Sequence, residues 1–376
     1  AKGAHHLAEK VDIRLLQAVS IHEFYKLHEL IKKSPKNAGA DHVDLVAMVD
    51  SFRNKRLDAE LHQMKKDAAY LGIRTIKENN SEGDILLTGG TGFLGPFLLR
   101  SLLEQTSSNR RIKVLVRAEN SQEGLSRLRQ SFGALHQADL NMIKAFDNRV
   151  EVVCGSLAEL NLSMRNADWE ELSQSISTIY HNGAKVNYLM SYGSMRDANV
   201  IGTRELLKLA ADAGVSDFNY ISTTFIFGWA KKASLLESDN NNEMEFLDFG
   251  YSQSKWVAEQ LVLSAGEAGM PIRIFRPSLI TPSVNGAGTG LDISLRLLLF
   301  MIKHAITVDS LNQVSFTPVD SAANNIIAIA QNPSTIGGAY HVVRDDYNNM
   351  RTVTDVMAAS LGIHFKALPL KKFVEE

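Results

Sequence analysis

The sequence predicts an α/β fold in which helices cover both faces of a parallel sheet. Apolar segments rich in Val and Ile alternate with segments of helical periodicity from residue 84 onward, and closely spaced glycines follow the first apolar segment. Strands that are buried on both faces lack an apolar–polar alternation. A regular succession of strand and helix therefore favours a doubly wound sheet with helical crossovers.

The expected elements follow one another through the middle of the chain. We predict strands at residues 85–88, 112–116, 150–154, 177–181, 218–221 and 272–275. We predict helices that begin near Gly92 and that cover residues 122–146, 191–213 and 251–266. After residue 276, prolines and glycines loosen the pattern, and we expect helices at 291–305 and 320–331 and a strand near 340–343.

The composition excludes several classes of protein. The chain has 376 residues and a net charge of −2, which gives no global field for nucleic acid or an anionic membrane. A membrane span needs about 18 consecutive apolar residues, and the sequence has no such run. The single cysteine, Cys154, excludes internal disulfides and suits a reducing compartment, so we expect a cytoplasmic protein.

Three glycines predict a nucleotide site. Gly89, Gly92 and Gly95 lie three residues apart, directly after the first predicted strand. Gly89 permits a tight turn, Gly92 lets a pyrophosphate approach the backbone, and Gly95 lets the helix pack closely on the sheet. The helix N-terminus adds unpaired N–H groups and the positive end of a dipole. The pattern is typical of a Rossmann-type dinucleotide turn, which would also include Thr88, Thr91, Phe93 and Leu94.

Two arginines favour NADPH over NADH. The second predicted strand ends at Arg117, where an NAD-binding chain usually carries an acidic residue. A guanidinium at this point can hold a 2′-phosphate through paired N–H donors, which a carboxylate would repel. Arg127 lies ten residues further on and is a second candidate for the same role.

These observations divide the chain into three parts. We interpret residues 1–80 as an N-terminal helical segment or linker and residues 81–280 as the NADP-binding Rossmann domain. Residues 281–376 would form mainly a smaller mixed substrate subdomain, with some elements returning to the sheet around 313–345. Ligands of such sheets bind outside the carboxyl ends of the strands, so this subdomain should cover that crevice.

A tyrosine and a lysine are the candidate catalytic pair. Tyr251 and Lys255 lie four residues apart on a predicted helix and therefore share one face. A nearby ammonium group should stabilise the phenolate and lower the pKa of the phenol toward the working range. The fifth strand ends in Ser222, Thr223 and Thr224, any of which could donate to a substrate carbonyl oxygen. Spacing alone does not choose among the three hydroxyls.

The chain resembles the extended short-chain dehydrogenases/reductases. Within them it is similar to the thioester reductase domains that terminate nonribosomal peptide and polyketide synthetases and carboxylic acid reductases. The matching segments span residues 84–345 and are TGGTGFLG (88–95), VLVRA (114–118), YHNGAKVN (180–187), NVIGT (199–203), ISTTFIFG (221–228), YSQSK (251–255), RPS (276–278) and VD (319–320).

The resemblance implies roles for individual residues. Thr223, Tyr251 and Lys255 would form the catalytic triad, with Tyr251 and Lys255 also touching the cofactor. Asn199 would be a structural or proton-relay asparagine. The family often has an aspartate near the adenine, where this chain has Ser156. Further cofactor contacts would come from Ser156, Leu157, Asn182, Gly183, Ala184, Asn199, Pro277 and Ser278.

The resemblance also implies a reaction. NADPH would reduce an acyl thioester on the phosphopantetheine arm of an acyl or peptidyl carrier protein to an aldehyde, and a second hydride would give the alcohol. Two alternatives stay open, a fatty acyl-CoA reductase of the same superfamily and an NAD-dependent sugar-nucleotide epimerase or dehydratase. Hydride chemistry of this kind needs no metal, and we expect His181, at a strand end, to be structural.

Overall fold

A computed structural model describes most of the chain from residue 58 to residue 369, and residues 372–373. The parts left out within that span are 74, 78–81, 137–138, 189, 229–231, 233, 242–243, 245–246, 248, 289–292 and 310–312. Most of the N-terminal segment predicted for residues 1–80 lies outside the described residues.

Seven parallel strands form the central sheet, in the order β11-β6-β5-β4-β1-β2-β3. This is the doubly wound order with its reversal between β1 and β4, where a dinucleotide is expected to bind. Five of the seven strands are buried along most of their length, as the continuous apolar runs predict. The strands are β1 (Asp84–Thr88), β2 (Ile112–Val116), β3 (Val150–Cys154), β4 (Ile176–His181), β5 (Asp217–Ile221), β6 (Ile272–Pro277) and β11 (Ala339–Val342).

Helices cover both faces of this sheet, as the sequence predicts. Two hydrophobic clusters lie on opposite sides of the strands, one built on Leu86 and Phe218 and the other on Ile85 and Phe275. In chain order the helices are α1 (58–68), α2 (Gly95–Gln105), α3 (Ser121–His136), α4 (Leu140–Arg149), α5 (Asn166–Ser175), α6 (Tyr192–Arg196), α7 (Gly202–Ala213), α8 (Gly250–Glu267), α9 (Ile293–His304), α10 (Val319–Ala330) and α11 (Met350–Leu361).

Three helices differ from their prediction. Helix α2, which follows the glycine turn, begins at Gly95 and not near Gly92. The Gly92 amide donates to the Gly89 carbonyl at 3.0 Å and closes a turn before the helix starts. The helix predicted over residues 122–146 is two helices, α3 and α4, and the side chain of Asp139 caps the second. The helix predicted over 191–213 is continuous but contains a π turn (Asp197–Ile201), and Gly214 ends it with φ 60°.

The C-terminal region adds short strand pairs beside the sheet. These elements are β7 (Leu279–Thr281), β8 (Ile306–Asp309), β9 (Gln313–Val314), β10 (Phe316–Pro318), β12 (Asn348–Asn349) and β13 (Lys366–Pro369). They pair as β7 with β10, β9 with β12 and β8 with β13. These strands cannot be predicted from the sequence, because they are only two to four residues long and too short for a periodicity to show.

The N-terminal helix α1 is joined to the sheet domain by a buried carboxylate. Asp67 accepts from both Nε and Nη2 of Arg196, at 2.6 and 2.7 Å, and from the Tyr192 hydroxyl at 2.7 Å. Burial opposes ionisation, but these donors outweigh it and hold the pKa of Asp67 below its usual value. Asp67 of α1 therefore bonds to both the first and the last residue of α6.

Candidate active site

The glycine turn has the geometry of a phosphate cradle. Gly89 has a φ of 71°, and a Cβ there would lie 2.8 Å from the Gly183 Cα. A Cβ on Gly95 would overlap the backbone of the turn, 2.7 Å from the Gly90 carbonyl carbon. A Cβ on Gly92 would meet only the Gly89 carbonyl oxygen, at 3.3 Å, so its outer side is open. The residues therefore fit a pyrophosphate at this turn, at the N-terminus of α2.

Several residues that the resemblance placed near the cofactor meet at the same point. Asn182 donates from Nδ2 to the Gly89 carbonyl at 3.2 Å. A Cβ on Gly183 would lie 2.6 Å from the Leu157 Cδ1, so the segments after β1, β3 and β4 converge. Ala184 follows this contact and is half-buried. The carboxyl ends of β1 and β4 thus form one edge, as expected at the reversal of strand order.

His181, the last residue of β4, joins this edge of the sheet to α7 through hydrogen bonds. Its Nδ1 lies 2.9 Å from the Thr88 hydroxyl, and its Nε2 lies 2.8 Å from the Thr203 hydroxyl. The Thr88 oxygen also accepts from the Gly183 amide at 2.8 Å. Burial, together with the charge of Lys255, holds the pKa of His181 well below its usual value. The ring is therefore a neutral structural bridge, which agrees with the prediction that it is structural.

The two arginines of the predicted phosphate clamp lie together. Arg117 and Arg127 are both exposed, and a guanidinium N–H of Arg127 donates to the Arg117 carbonyl oxygen. Ser156, where the family often has an aspartate, donates its amide to the Leu162 carbonyl at 2.9 Å. Its hydroxyl oxygen accepts from the Ala158 amide at 3.3 Å, so the side chain closes a local turn.

Lys255 is buried directly beneath the end of β5. The residue is 3% exposed, and its Nζ donates to the Ile221 carbonyl at 2.6 Å. The same Nζ lies 4.1 Å from the centroid of the Tyr220 ring, within cation–π range. Burial lowers the pKa of Lys255 to about 7, although the Glu259 carboxylate acts in the opposite direction.

Tyr251 lies one helical turn before Lys255, at the start of α8. Its ring is half-buried and lies 5.7 Å from the Tyr188 ring, edge to face. The expectation that Lys255 lowers the pKa of Tyr251 is wrong for this arrangement. Burial, with a contribution from Tyr188, raises the pKa of the phenol, and the Lys255 ammonium is directed instead at the Ile221 carbonyl.

The structure gives different hydrogen-bond partners to Ser222 and Thr223, which the spacing alone does not distinguish from each other or from Thr224. Ser222 donates to the Glu259 carboxylate, which is completely buried and also bonded to Arg276 at 2.7 Å. The Ser222 hydroxyl is therefore hydrogen-bonded to the buried ion pair that Glu259 and Arg276 form. The Thr223 oxygen accepts from the Phe225 amide at 3.2 Å, which caps the 3₁₀ turn Thr224–Phe227 and leaves the hydroxyl proton available for a second bond. Thr224 is half-buried within that turn.

Asn199 and Ser278 are engaged with other parts of the protein. The Asn199 amide accepts from the Lys185 amide at 2.7 Å and donates to the Lys185 carbonyl and to the Ser254 hydroxyl, both at 2.9 Å. It braces the segment after β4 against α8. Ser278 bonds to the Ser315 carbonyl at 3.2 Å and lies 3.0 Å from the Thr317 hydroxyl, while Pro277 pairs with Val342 in the sheet.

The C-terminal region reaches back over the glycine turn. A Cβ on Gly288 would lie 3.2 Å from the Phe93 ring and 3.3 Å from the Phe97 ring. The amide of Val284, in the same loop, donates to Asp320 at the first turn of α10, at 3.4 Å. The loop of residues 283–288 is therefore in contact with the glycine turn at Phe93 and with α10 at Asp320.

Glu259 and Tyr188 contact the candidate site residues, at Ser222 and Tyr251, and neither stands out in the sequence as a candidate. Glu259 had a detectable signal, because it lies four residues after Lys255 and so on the same face of the helix. Tyr188 follows the YHNGAKVN segment, but nothing in the spacing indicates which rings it meets. Among the residues that the structure describes, no group of three or more His, Cys, Asp or Glu side chains could hold a metal ion.

The sheet order and the glycine turn define an NAD(P)-binding domain of the Rossmann class. A family profile described as "Male sterility protein", an NAD-binding family, matches residues 87–326. The chain belongs to this family.

Relatives of known structure and sequence agree with this assignment. The terminal R domain from the myxalamid PKS-NRPS biosynthetic pathway is 33% identical with a TM-score of 0.78, over 83% of this chain and 80% of that one. A linear gramicidin synthase polypeptide of Brevibacillus parabrevis is 32% identical over 82% of this chain and 6% of its own length. L-2-aminoadipate reductase of Saccharomyces cerevisiae is 32% identical over 69% of this chain and 20% of its own length. The chain thus spans only a small part of these curated relatives.

No helix in the described parts of the chain is long and apolar enough to cross a membrane.

Proposed function

We propose that this domain uses NADPH to reduce a carrier-bound acyl thioester to an aldehyde, with a further hydride giving the alcohol. The observation that supports the proposal is the bond of the Lys255 ammonium to the Ile221 carbonyl, two residues before Thr223, on the helix that also carries Tyr251. NADPH, when bound, supplies the hydride. The names of the gramicidin synthase and aminoadipate reductase relatives support a reductase that works within a biosynthetic assembly.

The residues of the chain would polarise and protonate the substrate. The Thr223 hydroxyl and the Tyr251 phenol would donate to the thioester carbonyl oxygen as negative charge develops on it. Tyr251 would then transfer its proton to that oxygen, giving a hemithioacetal, and collapse of the hemithioacetal would release the thiol and the aldehyde. Lys255 would turn from the Ile221 carbonyl toward the phenolate and the nicotinamide ribose, since a hydrogen bond to a charged oxygen is stronger than one to a neutral carbonyl.

The carrier protein and the location are part of the proposal. A domain that matches 6% of a synthase polypeptide would receive its acyl group from a neighbouring carrier, on a phosphopantetheine arm. The NADPH pool and the single free cysteine suit the cytoplasm. A fatty acyl-CoA reductase is the nearer alternative, because the same site would accept a CoA thioester. A sugar-nucleotide epimerase or dehydratase would need tightly held NAD, which the two arginines disfavour.

A substrate panel tests the proposed function. Purified protein is mixed with NADPH and, separately, with carrier-loaded acyl thioesters, CoA thioesters and UDP-sugars, and the absorbance at the NADPH band is followed. We expect oxidation with the carrier-loaded thioester and trapping of an aldehyde product. Turnover with CoA thioesters alone would support the nearer alternative. Conversion of UDP-sugars, followed by chromatography because epimerisation and dehydration consume no NADPH, without oxidation of NADPH by any thioester, would contradict thioester reduction altogether.

The 2′-phosphate role of Arg117 predicts a change in cofactor preference. Arg117→Ala should weaken NADPH binding by about tenfold to a hundredfold and leave NADH binding nearly unchanged, because a charge-assisted contact is worth about 1.5–3 kcal/mol. Binding is measured by the fluorescence of each reduced cofactor. Arg129→Ala, which removes an exposed arginine from the helix that carries Arg127, is the matched control. Equal loss for both cofactors would contradict the role.

The buried lysine predicts a pH dependence. With its pKa lowered to about 7, Lys255 loses its proton as pH rises through neutrality, and kcat/KM for NADPH, which reports the free enzyme, should fall above that pH. Lys255→Arg keeps a charged group at all accessible pH values and should abolish this limb while lowering activity. A fall at the same pH in Lys255→Arg would assign the titration to another group.

A further inference from the structure

Tyr188 is the centre of a cluster of four aromatic rings. It lies in the segment between β4 and α6, and its ring centroid is 5.9 Å from that of Phe225, 6.0 Å from that of Phe249 and 5.7 Å from that of Tyr251. The interplanar angles of 71°, 89° and 64° are edge-to-face arrangements, which aromatic pairs prefer. We call these four residues the Tyr188 cluster.

The Tyr188 cluster joins the two elements that carry the proposed proton donors. Phe225 follows Thr223 by two residues in the 3₁₀ turn after β5, and Phe249 is the N-cap residue of α8, two residues before Tyr251. A single ring from a third segment thus contacts both elements. Because packed rings move only when their neighbours give way, Tyr188 restricts the rotation of the Tyr251 phenol.

The backbone that carries Tyr188 is itself held in place. Lys185, three residues earlier, exchanges two backbone hydrogen bonds with the Asn199 side chain, at 2.7 and 2.9 Å. On the other side, a Cβ on Gly250 would lie 2.6 Å from the Tyr192 amide nitrogen, so the start of α8 packs directly on the start of α6. The ring is therefore presented from a fixed support next to Tyr251.

We propose that Tyr188 is a positioning residue whose ring holds the Tyr251 phenol in the orientation needed to donate to the substrate carbonyl oxygen. The inference rests on the proposed function for the part that Tyr251 plays. Tyr188 differs from the side chains on either side of it in the same segment. Val186 is 55% exposed and Met190 is 37% exposed, whereas Tyr188 is half-buried against the other rings. A role in orientation acts on the chemical step more than on substrate binding.

Two substitutions at Tyr188 separate a positioning role from simple packing. Tyr188→Ala should lower kcat by about tenfold with little change in KM or in the NADPH Kd, because the phenol loses its fixed orientation while the groups that bind substrate and cofactor remain. Tyr188→Phe keeps the ring and should restore kcat to within about twofold of the unmodified protein. Tyr70→Ala, which removes a tyrosine that is 58% exposed, is the control for loss of a ring at the surface.

A spectroscopic measurement tests the same inference without turnover. The chain has nine tyrosines, and in protein labelled with 3-fluorotyrosine the resonance of Tyr251 is the one that Tyr251→Phe removes. In Tyr188→Ala this resonance should move and narrow as the ring gains freedom, whereas Tyr70→Ala should leave it in place. A Tyr251 resonance that does not respond to Tyr188→Ala would overturn the proposal.

The kinetic and spectroscopic results distinguish two failures. Absence of thioester turnover in the unmodified protein, with a Tyr251 resonance that responds to Tyr188→Ala, would remove the proposed function but keep the positioning contact. Normal turnover in Tyr188→Ala, or an equal loss of kcat in Tyr188→Phe and Tyr188→Ala, would remove the positioning role of the ring and keep the proposed function.

Discussion

Tyr251→Phe is expected to lower kcat for thioester reduction by about a thousandfold, the range in which general acid catalysis operates. The substitution removes one oxygen and keeps the ring that packs against Tyr188 at 5.7 Å. NADPH affinity and the thermal midpoint should therefore stay close to those of the unmodified protein. The measurement is single-turnover oxidation of bound NADPH by a carrier-loaded thioester, followed by absorbance.

The matched control is Tyr70→Phe, which removes a hydroxyl from an exposed tyrosine and should leave kcat unchanged. A loss in Tyr251→Phe of less than about fivefold would mean that another group, or water, protonates the substrate oxygen. In that event the Thr223 hydroxyl would be the next group to substitute, by Thr223→Val.

Glu259→Gln should destabilise the domain by about 3–5 kcal/mol, because it leaves a buried guanidinium without its counter-charge. Glu259 is fully buried, and its carboxylate accepts from Nε and Nη2 of Arg276, at 3.1 and 2.7 Å, and from the Ser222 hydroxyl. Arg276 is 2% exposed, so water cannot replace the lost charge. Urea unfolding followed by circular dichroism measures the free energy of unfolding.

The control lies on the same helix. Glu267 is exposed at the end of α8, so Glu267→Gln should change the unfolding free energy by less than about 0.5 kcal/mol. If Glu259→Gln were equally harmless, the ion pair would not support the end of β5. The position of Thr223, the residue next to Ser222, would then need another explanation.

The sheet and the nucleotide turn could be predicted because local chemistry determines them. β2 and β3 have the predicted bounds, and the predictions for β4 and β5 miss only the first residue of each strand. Gly89 has the left-handed φ that its place in the turn requires. At the start of α2, one of the places where the prediction failed, a backbone hydrogen bond within the turn decided the boundary, and no side-chain pattern records such a bond.

The catalytic details could not be predicted from the sequence because they depend on distant contacts. Ser222 was as good a candidate as Thr223 until the structure placed its hydroxyl on a carboxylate 37 residues away. The pKa of Tyr251 was predicted to fall, but the direction depends on burial and on Tyr188, which comes from a third segment of the chain. Spacing along one helix identifies a pair of residues and does not fix where an ammonium group points.

Isotope transfer tests the central claim, that a hydride passes from NADPH to a thioester carbonyl at this site, most directly. NADPH with deuterium at both C4 positions is incubated with the protein and a carrier-loaded thioester, and the trapped aldehyde is analysed by mass spectrometry. We predict one deuterium on the aldehyde carbon, with about a thousandfold slower appearance in Tyr251→Phe. An aldehyde without deuterium, or the same rate of labelling in both proteins, would contradict the account.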